Sequence, residues 1–395
     1  MIMEMRTPGA LLALALLGAP AGRAQDAPVP PVVPGGVELV RVDVIVTDGK
    51  GRHVDDLRPE DFTIEEDGHT RSVAALRYVA GRPSAAAATV AGAPDTEPAL
   101  PGASEPRSLA IVLDDMTFSA VSRVRVPRVI RRFFDGLAGS DTPVAIMRTG
   151  GGVSAIQDFT TDRALLEAVL SHLRPAPGGL DGLQGDNMEA EQRVELTLQM
   201  LRSVKTLARE LVERPGRKTL IIVSEGMPLS SRADPEGVRG LDELRRVTDA
   251  ANRAGVVIST IDPSGLTFGG TAYSASSHID PFTTSEGLRS QLSGPMLQGT
   301  AQRQGLRRGS EQLAAETGGL ALSDGNDIGG AIERAWSDQD GYYLIGYEPE
   351  ASSVPAPGAV PLERKVTVRV KRKGLKVRAR RVYYARAAEP GPAAP

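Results

Sequence analysis

Cysteine is absent from this sequence, which excludes disulfides, thiolate metal sites, a cysteine nucleophile and a lipid anchor on a cysteine. Stability has to come from packing. Long apolar runs are missing too: past the first residues nothing approaches the ~18 consecutive apolar side chains that a membrane-spanning helix needs. Neither sign of charge is in excess, since 46 Lys and Arg face 49 Asp and Glu for a formal net charge of -3. No global attraction to nucleic acid or to an anionic membrane is expected. Histidine is scarce, and His53, His69, His172 and His278 lie far apart without ligand-like spacing. No Gly-x-Ser-x-Gly elbow occurs, and "RTGGGVS" lacks the Gly-x-Gly-x-x-Gly spacing of a dinucleotide loop. An enzyme is therefore not the expected class.

What is present divides the 395 residues into several parts. Residues 1–25 have the make-up of a signal peptide, with Arg6 ahead of an apolar stretch from Leu11 to Leu17 and small residues Gly22 and Ala24 before Gln25. Export to the periplasm or beyond the cell is the expectation. After a Pro-rich spacer, "VELVRVDVIVTDGKG" sets Val40, Val42, Val44 and Val46 on one face and Arg41 and Asp43 on the other, as a half-buried strand does. Turns at Asp48-Gly49 and Asp67-Gly68 flank "DFTIEEDG" and predict a small antiparallel unit over 35–80. Residues 81–106 are Ala, Pro and Gly with almost no large side chains, a linker composition.

From Ser108 to about residue 340 strand-like runs alternate with helical patterns, which predicts an α/β domain with a doubly wound, mostly parallel sheet. "SLAIVLD", "TPVAIMRT", "KTLIIVSEG" and "GVVISTIDPSG" are its strands. Val126, Ile130, Phe133, Phe134 and Leu137 form one helical stripe, and Leu165, Leu166, Val169 and Leu173 form another behind a capping threonine. The Ser-, Gly- and Thr-rich stretch 265–308 has no periodicity and is expected to be a loop. Residues 341–386 return to alternation. There Val366, Val368 and Val370 share one phase and Leu375, Val377 and Ala379 the opposite phase, which predicts a hairpin about Lys373-Gly374. Two-stranded units are marginal in water. The two chain ends are therefore expected to pair into one β-sandwich around the inserted α/β domain, leaving 387–395 as a disordered tail.

"LAIVLDDMTFS" sets a buried strand against a run of oxygen-bearing side chains. Together with "VRVDVIVTDGKGRHVDDLRPEDFTIEEDG", "GRKTLIIVSEGMPL", "GVVISTIDPSGL", "LAAETGGLALSDGNDIGGAI" and "GYYLIGYEP", it resembles the von Willebrand factor A-type domains, and among them the bacterial VWFA-related exported proteins. The resemblance implies an Asp-x-Ser-x-Ser loop that holds Mg²⁺ or Mn²⁺, completed by a threonine and an aspartate from two other loops. Hard divalent cations take such oxygens in near-octahedral array. Asp115, Thr117 and Ser119 match the loop as Asp-x-Thr-x-Ser, with Asp114 as an alternative or supporting ligand. Two positions depart from the pattern: "GGLDG" has Leu180 in place of the threonine, leaving Asp181 as the nearest donor, and "SEGM" puts Glu225 where the aspartate would be.

The function this implies is an exported protein-binding module with an altered metal-ion-dependent adhesion site that accepts a carboxylate from a partner protein. A metal-free scaffold of the same fold, in which Asp114, Asp115, Thr117 and Ser119 only cap the helix near Val121, is the alternative. A metal-dependent hydrolase is a further one. Asp262, at the end of "VVISTID", is read as an Asp-Pro turn, and the basic segment 363–386 as a solvated, edge-protecting surface. The partner's identity and the oligomeric state are not written in the sequence.

Overall fold

The computed structural model describes residues 39–80, 106–137, 140–150, 158–171, 173, 190–265, 304–323, 325–350 and 360–385. The expected signal peptide, the linker up to residue 105, Asp181, most of loop 265–308 and the C-terminal tail lie outside the described residues.

A five-stranded parallel sheet organises the middle of the chain. Its strands are β5 (Arg107–Leu113), β6 (Val144–Arg148), β7 (Arg217–Val223), β8 (Val256–Ile261) and the short β9 (Ala321–Leu322), in the order β6-β5-β7-β8-β9. Every residue of β7 and β8 is buried, because the strands are covered on both faces, and this explains why apolar and polar residues do not alternate along them. Alternate side chains serve different layers. Ala110, Val112, Leu220, Ile222 and Ile258 pack against α3 (Ala190–Glu210), α4 (Val238–Ala254) and α5, a helix over 304–317. Leu109, Ile111, Leu113, Ile221 and Val223 pack against α1 (Ala120–Gly136), α2 (Arg163–Ser171) and α6 (Ile328–Ser337).

The α2 stripe differs from the expected one. Leu166, Leu170 and Leu173 face the core while Leu165 is 46% exposed. The helix is capped by the Asp162 carboxylate, which accepts from the Ala164 N–H at 2.8 Å, and not by a threonine.

Two four-stranded antiparallel sheets draw on both ends of the described chain. One has the order β12-β1-β10-β4, from β12 (Lys376–Ala379), β1 (Val40–Thr47), β10 (Gly341–Tyr347) and β4 (Val73–Ala80). The other has the order β13-β11-β2-β3, from β13 (Val382–Ala385), β11 (Leu362–Val370), β2 (Phe62–Glu66) and β3 (His69–Arg71). Asp67 and Gly68, both at positive φ, close the β2–β3 hairpin, the backbone that two-residue hairpin turns require. One apolar cluster joins the two sheets, with Val42, Val44 and Ile345 from the first and Phe62, Ile64 and Val366 from the second.

The expected hairpin of β11 with β12 does not form. β11 pairs with β2 and β13, whereas β12 pairs with β1. The phase change across Gly374 (φ 80°) carries the chain from one sheet to the other, so both sets of valines reach the same core.

Two arginines at the amino-terminal ends of neighbouring strands anchor the parallel sheet to the chain leading into β10, and the second also reaches β1. Arg107 lies over the Trp336 ring at 3.7 Å, donates to the Trp336 carbonyl at 2.8 Å and pairs with Asp340. Arg217 donates to Gln339 Oε1 through Nε (2.9 Å) and Nη2 (2.6 Å), pairs with Asp43 of β1, and lies over Tyr342 of β10 at 4.0 Å.

Candidate functional site at the carboxyl end of the parallel sheet

Strand order fixes the place. In an open sheet ordered 2-1-3-4-5, ligands collect beyond the carboxyl ends of the strands where the order reverses. Here that point lies between β5 and β7. The Asp114 N–H bonds the Val223 carbonyl at 2.9 Å, extending the β5–β7 ladder one step past Leu113. The chain then turns, with the Thr117 N–H on the Asp114 carbonyl at 3.1 Å, and enters α1 at Ser119. Ser119 caps that helix, its Oγ accepting from the Ser122 N–H at 3.3 Å.

Asp114 is the most enclosed of the four loop residues. It is 2% exposed, and its carboxylate collects hydroxyls from three loops: Thr117 at 2.9 Å, Thr149 at 3.0 Å and Ser224 at 2.7 Å. Burial pushes its carboxyl up to about 6 despite these donors, and the neighbouring Asp115 charge acts in the same direction. The sequence pattern centres the expected ligand set on Asp115. In the structure the hydroxyls of Thr117, Thr149 and Ser224 gather on Asp114 instead, because the residue that completes the β5 ladder is the one that points between β6 and β7.

Asp115 turns toward the end of β6. Its Oδ2 accepts from Arg148 Nε at 3.0 Å and Nη2 at 2.6 Å. Its Oδ1 accepts from the Gly150 N–H at 2.7 Å and lies 3.3 Å from Thr149 Oγ1. Ser119 meets Glu225 instead, donating its N–H to Oε2 at 3.0 Å and its hydroxyl to Oε1 at 2.7 Å. The five described residues of the expected ligand set therefore share one rim but are directed to different partners: Asp114 takes Thr117, Asp115 takes Arg148, Thr149 Oγ1 stands between these two carboxylates, and Ser119 takes Glu225.

That arrangement does not fit a divalent cation. Such an ion needs carboxylate and hydroxyl oxygens turned toward a common point. Here the Asp115 carboxylate is occupied by a guanidinium and a backbone N–H, while the Thr117 and Ser119 hydroxyls are directed to other acids. Among the described residues no group of three or more His, Asp or Glu is placed to hold a metal.

Arg148, Thr149, Gly150 and Ser224 are part of this rim, and motif matching missed them. Their signal was positional, since "MRTG" and "VSEG" both follow parallel strands that flank β5. Asp262 ends β8 and forms a local turn, its Oδ1 accepting from the Ser264 N–H at 2.9 Å and hydroxyl at 2.6 Å. The basic C-terminal strands meet acids elsewhere in the chain, as in Arg364–Asp67 (2.9 Å), Arg372–Asp56 (2.8 Å) and the Arg369–Glu65 pair.

No family model matches the chain, and no curated protein does. Among solved structures, one similar chain is an aerotolerance-related membrane protein from Bacteroides fragilis. It is 12% identical, with a TM-score of 0.29 over 58% of this chain and 97% of that one. A likeness this slight has no bearing on function.

Proposed function

We propose that the chain is an exported protein-binding module, a von Willebrand A-like α/β unit set within a β-sandwich made by its two ends, which meets a partner protein with the carboxyl-terminal rim of its parallel sheet. The observation that carries this reading is the linkage of side chains from three crossover loops, after β5, β6 and β7, at one switch point. A surface assembled from separate loops on a rigid sheet is suited to recognition. Beside it, Val121 and Val124 on the first turns of α1 are 61% and 48% exposed, giving an apolar patch next to a polar rim, as interfaces commonly have. On this reading the chain catalyses no reaction.

The test is retention of exported proteins from the source cell on the immobilised chain, compared with a Val121→Glu, Val124→Glu double variant. Loss of a retained protein without a change in melting temperature is the expected result, and unchanged retention counts against the rim. The full internal bonding of the rim favours a second reading, a scaffold whose contacts are made by the antiparallel sheets. It predicts that rim substitutions have no effect on retention while charge reversals on the exposed face of β11, such as Arg369→Glu, abolish it.

A further inference from the structure

The resemblance implies a divalent ion at this rim, yet the carboxylate that would hold it already faces a cation. Arg148 is the last residue of β6 and stands opposite Leu113 in the parallel register, directly beside the start of the loop. Two of its N–H groups converge on one oxygen of Asp115. The other oxygen takes the Gly150 N–H at 2.7 Å, and the backbone passes so close that a Cβ at Gly150 would make a tight contact, 3.0 Å, with Asp115 Oδ2. The pair is shielded, with side-chain exposures of 17% for Arg148 and 8% for Asp115. An ion approaching Asp115 would have to displace a guanidinium from a largely dry site and strip a backbone hydrogen bond, and it would meet like charge on the way.

We infer that Arg148 is the resident cation of this rim: it neutralises and orients Asp115 in place of Mg²⁺ or Mn²⁺, and the chain takes neither ion there. This deepens the binding reading and rests on the rim being the von Willebrand A-like one, but its test needs no partner. A guanidinium on a strand end is held in place by the fold. The rim would therefore be assembled whether or not divalent ions are present, and chelators would not disturb it.

The experiment is titration of the purified full chain with Mn²⁺ and with Mg²⁺ alone, read by calorimetry and by thermal shift. The chains compared are the wild type, Arg148→Met, Asp115→Asn and the double variant. The wild type is expected to give no saturable heat and no shift at millimolar ion. Arg148→Met is expected to melt lower and to regain part of that loss on Mn²⁺ addition, a response that Asp115→Asn added to it removes. Arg148→Gln serves the same purpose if the methionine chain does not fold. A saturable Mn²⁺ response in the wild type that Asp115→Asn abolishes would overturn the inference, and so would a folded Arg148→Met or Arg148→Gln chain that ignores Mn²⁺. Failure to find a protein partner would leave all of these titrations unchanged.

Discussion

Burial lifts the Asp114 carboxyl to about 6 although three hydroxyls donate to it. Between its unfolded value of 3.8 and about 6 the folded chain therefore holds a proton that the unfolded chain has released. The stability that this group contributes is fully present below the unfolded value and is lost as pH rises through about 6. Above that, keeping the carboxylate ionised costs on the order of 3 kcal/mol, at ~1.4 kcal/mol per unit. Asp114→Asn should accordingly be less sensitive than the wild type to a change from pH 7.5 to pH 5 in urea denaturation, with the wild type gaining relative to it at the acid end. Asp67, held low by the Lys365 backbone N–H and by Arg364, and Glu243, held low by Lys205 and Arg246, act in the opposite direction, but they are common to both chains and cancel in the comparison. Ser119 gives a second prediction at this scale, since one hydroxyl both caps α1 and donates to Glu225. Ser119→Ala should cost ~1–2 kcal/mol in urea denaturation, and a cycle with Glu225→Gln should show coupling of about 1 kcal/mol.

At the scale of elements, the entry to β7 depends on one glycine. Gly216 has φ +74°, and a Cβ there would lie 1.9 Å from the Pro106 carbonyl, which accepts the Arg217 N–H at 2.8 Å. Gly216→Ala combines left-handed strain with a backbone clash, so a loss of at least ~3 kcal/mol is expected by chemical denaturation. Nothing in "RPGRKTLIIV" reveals that approach, because the atom in the way belongs to residue 106. The elements of the α/β layers were legible: apolar runs without alternation marked strands covered on both faces, and stripes such as Val126, Ile130 and Phe133 marked their helices. Two features misled. Leu165 and Leu170 are equivalent to a periodicity count until tertiary packing selects one. The opposed phases of β11 and β12 suit a hairpin and a crossing between facing sheets equally well. At the rim, local spacing identified Asp114 and Asp115 but not which of them would lie between the strands, since that is set by the β5–β7 ladder. Arg148 was invisible to motif matching because its role comes from its place next to β5.

For the molecule as a whole, the arginine contacts beneath the parallel sheet make the layers cooperate. Arg217 is 4% exposed and pairs with Asp43, which is 29% exposed, while its other N–H groups bind Gln339. Arg217→Met would leave both partners unanswered at a largely buried boundary. A loss of about 3 kcal/mol is expected, read in calorimetry as a lower melting temperature, while Asn252–Val382 and Arg378–Gly318 still tie the antiparallel sheets to the α/β layers. The same boundary ties early and late parts of the chain. β1 lies between β10 and β12, neighbours that the ribosome adds about 300 residues after it. Until those strands arrive β1 has two open edges, and β2 lacks β11 in the same way. The α/β layers can close on contacts made in order along the chain, whereas the outer sheets wait for residues 362–385 to be synthesised. A copy terminated before Leu362 would carry a nearly complete centre with sticky, unmatched flanks, the sort of surface that chaperones and proteases act on. The topology thus ties survival to the synthesis of β11 to β13, so that a copy ended before them betrays itself by its open edges.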